Sequence, residues 1–322
     1  MTADFTGHGG RLEAARRLYG GGDWLDLSTG INPCPWPFAR AAQPDWAHLP
    51  DPAAIGGLEA AAAGSFGIDP ALCCAVPGSE IALRLLARLL ALPGRHVPPC
   101  YGTHADAFSD SRPATMGQGD RAAFVIANPN NPDGRIAEPA TLLAWQDRIA
   151  AAGGWLLVDE AYAETVPAIS LAPQVAADRR LVVLRSFGKF FGLAGVRLGF
   201  VIAPPSVLAR LRRQLGDWPV SAAAVAFGTA AYRDAAWMKE ARADIDRRAA
   251  ALDAVLARHG LSPRGGCPLF RLVETAEAPA LFDRLARHAI LTRPFAEAPH
   301  WLRFGVPMER DLDRVDAALG HG

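Results

Sequence analysis

The sequence predicts an α/β protein: a mostly parallel central sheet sandwiched by helices, with a smaller α+β domain. Three observations carry that prediction. Short, unbroken apolar runs alternate with segments of helical periodicity between residues 75 and 215, the pattern of strand–helix–strand units. Several runs end abruptly in polar clusters, as buried parallel strands do where they open onto a ligand crevice. After Trp218-Pro219 the pattern changes to long Ala/Arg-rich helices and two short strands.

Taken in order, residues 1–45 are rich in Gly and Pro, have no core of their own, and are expected to wrap onto the smaller domain. Pro77-Gly-Ser-Glu80 forms a turn, and residues 81–92 then space their apolar side chains as a helix. Residues 121–127 form a buried strand that runs into the loop Asn128-Pro-Asn-Asn-Pro132. A helix over 140–152 leads to a second buried strand at 155–158, closed by Asp159-Glu160. Residues 180–184 repeat the pattern and close with Arg185-Ser186. A strand at 199–203 and a helix reaching residue 215 complete the expected large domain, 46–218. Helices over 222–232 and 235–259, strands near 268–273 and 301–306, and a terminal helix assign 219–322, with 1–45, to the smaller domain.

Composition narrows the function. The 322 residues include 33 basic and 33 acidic side chains, and half of all positions are apolar. A neutral chain with a pI near 7.1 lacks the electrostatic footprint of a nucleic-acid binder. The opening MTADFTGHGG has neither a basic nor an apolar signal region, and the apolar stretch 85–92 is broken by Arg88 and too short to span a bilayer. Neither a signal peptide nor a membrane span is expected. Five cysteines (Cys34, Cys73, Cys74, Cys100, Cys267) form no CxxC pair, and the eight histidines show no metal-ligand spacing. A reducing cytoplasm and no metal are therefore expected. Lysine occurs only at Lys189 and Lys239, so chemistry that needs a primary amine has two candidates.

Lys189 lies in Ser186-Phe-Gly-Lys-Phe-Phe-Gly-Leu-Ala-Gly-Val-Arg197, just beyond a buried strand. Partial desolvation makes a lysine amine nucleophilic, as Schiff-base chemistry requires; a loop lysine snorkelling to water fits the position equally. Asp159 closes an apolar strand, where an unpaired carboxylate is costly. It can pair with a protonated cofactor ring nitrogen or cap the next helix. Ser186 and Arg197 suit a phosphate, and Gly78-Ser-Glu80 offers helix N-terminal N–H groups to the same anion. Each signal is weak alone. Their combination is much stronger.

Together, Asn128-Pro-Asn-Asn-Pro-Asp-Gly134, Asp159-Glu-Ala-Tyr162, Ser186-Phe-Gly-Lys189 and Arg197 resemble the motifs of the fold-type I pyridoxal-phosphate enzymes of the aspartate aminotransferase superfamily, over nearly the whole chain. The resemblance implies that fold and pyridoxal 5'-phosphate as cofactor. It makes Lys189 the Schiff-base lysine and Asp159 the group that keeps the pyridine nitrogen protonated. It gives Asn131 and Tyr162 the ring's phenolic oxygen, and Tyr101, in Pro99-Cys-Tyr-Gly102, the ring face. It places the phosphate on Gly78, on the backbone N–H groups of Ser79 and Glu80, and on Ser186 and Arg197. Lys189, Asp159 and Tyr162 are thereby the implied catalytic residues. Lys239, in a helix with Glu240, Arg242 and Asp244, reads as part of a solvated face.

Within the superfamily the chain is similar to the threonine-phosphate decarboxylases of cobalamin synthesis and to histidinol-phosphate aminotransferases. The decarboxylases open with a His-Gly-Gly segment and then a Ser/Asn-Ile-Asn-Pro segment, matched here by His8-Gly-Gly10 and Asp26-Leu-Ser-Thr-Gly-Ile-Asn-Pro33. The resemblance implies His8, Gly30 and Asn32 as substrate contacts, with Arg293 near the substrate phosphate. Arg303, in Trp301-Leu-Arg-Phe-Gly305, matches a forked grip on the substrate carboxylate. The implied enzyme is a homodimer that decarboxylates O-phospho-L-threonine to (R)-1-aminopropan-2-ol O-phosphate. The alternative is an aminotransferase acting on histidinol phosphate or a related amino acid. A third, non-enzymatic reading as a regulator's effector domain is disfavoured by the intact lysine and by the lack of a helix-turn-helix ahead of the domain in this sequence. Two positions depart from the family pattern. Leu49-Pro-Asp51 stands where relatives usually have a tyrosine that reaches across the dimer to the cofactor phosphate. Asp133 replaces the usual threonine of the Asn-Pro-Thr-Gly loop, a turn substitution.

Overall fold

The apolar runs become strands because the chain buries them on both sides. The computed structural model describes residues 3–320, and their contacts separate them into two units. The larger holds residues 35–131 and 136–239. Its seven-stranded sheet has the order 73–76, 199–202, 181–186, 155–159, 123–127, 94–96, 111–113. The five strands from 181–186 to 111–113 run parallel, and Gly199–Ile202 is antiparallel to both its neighbours. This is the mostly parallel sheet expected from the sequence. Leu83, Leu86, Leu208 and Leu211, on helices Ser79–Leu90 and Pro205–Leu215, pack with Val125, Val182, Leu184 and Val201 of the sheet. Phe124 points to the opposite face from Val125, as alternation requires, and meets Trp145 of helix Pro139–Ala151 edge-on at 5.4 Å. Helices thus cover both faces.

Three short strands (Cys73–Val76, Gly94–His96, Ser111–Pro113) and helix Pro52–Phe66 join the elements read from sequence. The helix is punctuated conventionally: the Asp51 carboxylate accepts from Ala53 N at 2.7 Å, and Gly67 ends it at φ 70°. Glu59 ties the helix to the sheet by accepting from Ala75 N (2.9 Å) and from both terminal nitrogens of Arg212 (2.9 and 2.8 Å).

The smaller unit holds residues 3–34, 132–135 and 240–320. A four-stranded antiparallel sheet runs in the order 293–294, 301–305, 270–274, 263–264, and Leu25–Asp26 pairs in parallel with Ile290–Leu291. Its core is built from Leu252, Leu256, Phe282, Leu285, Leu302, Phe304 and Val315. The division by contacts falls elsewhere than at residues 45/46 and 218/219. Trp36 Nε1 and Arg40 Nη1 both donate to Asp234 Oδ2 (3.1 and 2.8 Å), and helix Ala222–Arg233 packs along helix Pro52–Phe66. Residues 35–45 and 219–239 therefore belong with the larger unit. Residues 1–2 and 321–322 of the expected smaller domain lie outside the described residues. Among the described residues, no helix is long and apolar enough to cross a membrane.

Candidate active site

Neighbouring parallel strands end together, so the residues that close them meet. Ala127 is in register with Asp159, and Asp159 with Leu184, which brings Asn131, Asp159 and Ser186 to one edge of the sheet. A cavity of about 220 Å³ opens there in the larger unit. Its walls include Gly78, Ser79, Glu80, Tyr101, Asn131, Asp159, Tyr162, Ser186, Lys189 and Arg197, all ten positions expected to hold the cofactor.

Each is placed by its local chain. Lys189 sits in a single helical turn, Phe187–Phe190, whose aromatic residues face the core. Phe187 stacks on Phe191 at 4.7 Å, Phe191 meets Tyr232 at 4.9 Å, and Phe190 meets Trp237 at 5.5 Å. With Phe187, Phe190 and Phe191 buried, the intervening lysine is directed to the cavity. Gly188 is needed because a Cβ there would lie 2.6 Å from Ala194 Cα. Asn128 exchanges two hydrogen bonds with the backbone of Ala137 (3.0 and 2.9 Å), fixing the turn that carries Asn131. Asn130 Nδ2 donates to Pro99 O (2.8 Å), tethering the segment that presents Tyr101.

At the helix start, Gly78 adopts φ 103°, and a Cβ on it would lie 2.9 Å from Arg197 Nη2. Only glycine lets the guanidinium rest against this turn. No side chain caps helix Ser79–Leu90, so its first N–H groups remain donors for an anion. Glu80 adds a side-chain role that the sequence did not suggest: it accepts from Tyr101 Oη and Thr103 Oγ1, both at 3.3 Å. Burial, and secondarily Glu80, pushes the Tyr101 phenol above its ordinary range, which keeps it a neutral donor.

Sequence reasoning missed two groups. His104 is fully buried, its Nε2 lies 3.0 Å from Asp159 Oδ2, and its Nδ1 has no hydrogen-bond partner. A carboxylate facing Nε2 requires the proton on that nitrogen. Ala161 N donates to the other oxygen, Oδ1, at 3.1 Å, so Asp159 is held from two sides. The only trace in the sequence is a histidine three positions after Tyr101. The second group lies behind the strand ends, where Arg185 Nη1 meets Glu160 Oε2 (2.8 Å) and its Nε meets Glu164 Oε1 (3.1 Å). All three are buried. Burial opposes the Arg185 charge, but Glu164 and Glu160 outweigh it and hold its pKa above the ordinary value. Burial pushes Glu160 up, against the pull of Arg185.

In the smaller unit, the expected substrate residues gather around two segments of chain. Arg293 and Arg303 are direct cross-strand partners on adjacent antiparallel strands. Arg303 is buried, donates to Ser28 O (2.9 Å) and lies over the Phe270 ring at 4.9 Å. Arg293 Nη2 donates to Gly7 O at 2.7 Å, beside His8, which is exposed. Gly10 N donates to Ser28 Oγ (2.7 Å), joining the His8-Gly-Gly10 segment to the segment that carries the buried Gly30 and Asn32.

Comparison with known proteins gives the family. The family profile for aminotransferase class I and II matches residues 112–319. A threonine-phosphate decarboxylase from Sinorhizobium sp is 43% identical over 95% of this chain and 95% of its own. One from Pseudomonas aeruginosa is also 43% identical, over 97% of this chain and 96% of its own. The crystal structure of histidinol-phosphate aminotransferase from Sinorhizobium meliloti in complex with pyridoxal-5'-phosphate superposes with a TM-score of 0.81 at 24% identity, covering 95% and 92% of the two chains. The chain belongs to the aminotransferase class I and II family.

Proposed function

We propose that this protein is a pyridoxal-phosphate-dependent decarboxylase of O-phospho-L-threonine that yields (R)-1-aminopropan-2-ol O-phosphate for cobalamin biosynthesis. The observation that carries the substrate is the facing pair Arg293 and Arg303. Two guanidinium groups at facing positions of adjacent strands suit a ligand with two anionic groups. Phosphothreonine brings two anionic groups, a carboxylate and a phosphate. Histidinol phosphate brings one, because its carboxyl carbon is reduced to the alcohol. We assign Arg303 to the carboxylate and Arg293 to the phosphate, with His8, Gly30 and Asn32 as further substrate contacts. The 43% identity to two threonine-phosphate decarboxylases supports the same reading.

The residues present fit the cofactor. The turn at Gly78, the uncapped N–H groups of Ser79 and Glu80, Ser186 and Arg197 suit its phosphate. Asn131 and Tyr162 suit its phenolic oxygen, and Tyr101 the ring face. When bound, the cofactor supplies an electron sink for the pair left behind as carbon dioxide departs. Asp159, oriented by His104 and Ala161, holds a proton on the pyridine nitrogen. Lys189 Nζ anchors the cofactor and can return a proton to the substrate Cα. Arg293 and Arg303 use binding energy from non-reacting groups to orient the scissile bond.

The protein is read as a cytoplasmic homodimer. Five free cysteines fit a reducing compartment. The larger unit leaves Phe38, Trp46, Leu49 and Trp218 more than half exposed, surface that a second copy could cover.

Carbon dioxide released from phosphothreonine without added keto acid tests the reaction. Arg293→Ala should lower kcat/KM for phosphothreonine about 10- to 150-fold, the worth of a charge-assisted hydrogen bond, and affect unphosphorylated threonine far less. Equal losses on both substrates would remove Arg293 from the phosphate. Amino transfer from histidinol phosphate, with no carbon dioxide from phosphothreonine, would decide for an aminotransferase.

A further inference from the structure

We infer that Phe270 and Phe295 are positioning residues of the substrate site: each lays its ring against one of the two facing arginines, Phe270 against Arg303 and Phe295 against Arg293, and so sets the plane in which that guanidinium meets an anion. The inference rests on the proposed reading of Arg293 and Arg303 as substrate contacts.

A forked grip on a carboxylate or phosphate needs the guanidinium plane to be held, and an arginine side chain is long and rotatable. Backbone carbonyls fix one nitrogen of each: Arg293 Nη2 donates to Gly7 O (2.7 Å) and Thr6 O (3.4 Å), and Arg303 Nη2 to Ser28 O (2.9 Å). A hydrogen bond at one nitrogen sets a point rather than a plane. The rings set the plane. Arg293 Cζ lies over the Phe295 ring, 5.1 Å from its centroid, and Arg303 Cζ over the Phe270 ring at 4.9 Å. Both are inside the roughly 6 Å over which a ring face attracts a cation. The rings are themselves firmly packed, with Phe295 4% and Phe270 1% exposed. Phe295 packs with Leu272, Ala298 and Trp301, meeting Trp301 edge-on at 6.2 Å. Leu272 lies opposite Arg303 and Phe270 opposite Gly305, so Phe270 is the diagonal neighbour of Arg303. Residue 305 brings no side chain between them, since a Cβ there would lie 2.3 Å from Thr29 O.

An aromatic face suits this task better than a carboxylate would. The N–H bonds of a guanidinium lie in its plane, so a ring lying over that plane attracts the charge and uses no donor. A carboxylate would hold the group by taking donors and cancelling the charge that an anionic substrate needs. The two rings also divide the labour. Phe295 supports the arginine assigned to the phosphate, and Phe270 the arginine assigned to the carboxylate.

The test changes the charge distribution of the ring at nearly constant shape. Fluorination withdraws electron density from a phenyl face with little change in size. Mono-, di- and trifluorophenylalanine at position 295 should therefore raise KM for phosphothreonine stepwise, by about 2- to 30-fold at the end of the series. Along it kcat, Tm and KM for threonine should hardly change. The same series at position 270 should raise KM for both substrates, since both carry the carboxylate. Phe295→Leu, which keeps an apolar filling without a ring face, should match the trifluoro enzyme in KM. A KM for phosphothreonine that is unchanged along either series, or a loss at position 295 that is equal for the two substrates, overturns the inference. If the wild-type enzyme releases no carbon dioxide from phosphothreonine, the functional reading fails. The inference is then judged by calorimetric binding of inorganic phosphate to the cofactor-loaded protein. Affinity that falls along the position-295 series upholds it; equal affinity, or no binding, overturns it.

Discussion

Asp159 and Lys189 show how little of a reactive side chain's setting is its own. The Asp159 carboxylate is oriented by a buried histidine and a backbone N–H, and Lys189 reaches the cavity because Phe187, Phe190 and Phe191 are committed to the core. With only two lysines in the chain, the assignment has a sharp control. Lys189→Ala should lose both the visible absorbance of the reconstituted enzyme and turnover. Lys239, exposed on helix Ala235–Arg258, should be replaceable by alanine with both retained. Borohydride reduction followed by peptide mapping checks this directly; cofactor recovered on Lys239 would sink the assignment.

Strand alternation sorts the side chains at the level of elements. Asp159 and Ser186 face the cavity, while their chain neighbours Glu160 and Arg185 turn into a buried cluster with Glu164 and Ser170. That cluster pins the two strand ends that carry the site. Arg185→Met would leave two buried carboxylates without their cation, a cost of about 3–5 kcal/mol measurable by denaturant titration. The pH dependence has a definite sign. Glu160 is already raised by burial, and without Arg185 it should rise further. A carboxyl whose folded pKa lies above its unfolded value loses stability as pH climbs through the folded pKa. The variant's deficit should therefore shrink on acidification and widen toward neutrality. A deficit that is flat with pH would show that the lost energy is packing rather than charge.

For the whole molecule, neutrality and exposed apolar area point the same way. A chain with no formal net charge has little self-repulsion to oppose association. Trp46 and Leu49 are 75% and 65% exposed. If the homodimer reading holds, Trp46→Glu with Leu49→Glu should shift sedimentation from dimer toward monomer while leaving the secondary structure by circular dichroism unchanged. An unaltered dimer would place the interface elsewhere.

Much of this was legible in the chain. Strands buried on both faces must be continuous apolar runs, so Asn131, Asp159, Ser186 and Lys189 stood out as polar residues at their ends, and parallel pairing then brought those ends together. The short strands at 94–96 and 111–113 carried no such signal, because three residues set no period. Helix Pro52–Phe66 escaped because its Ala/Gly-rich sequence has almost no amphipathic contrast. The domain division depended on Asp234 receiving Trp36 and Arg40 from nearly 200 residues away. His104 and Arg185 belong to the same class. The sequence determined which residue types close the strands; tertiary structure alone decided which polar residues are buried and paired. Burying a charge or an imidazole is tolerable only beside a partner, and these partners lie 21 and 55 residues along the chain, where no local pattern can reveal them.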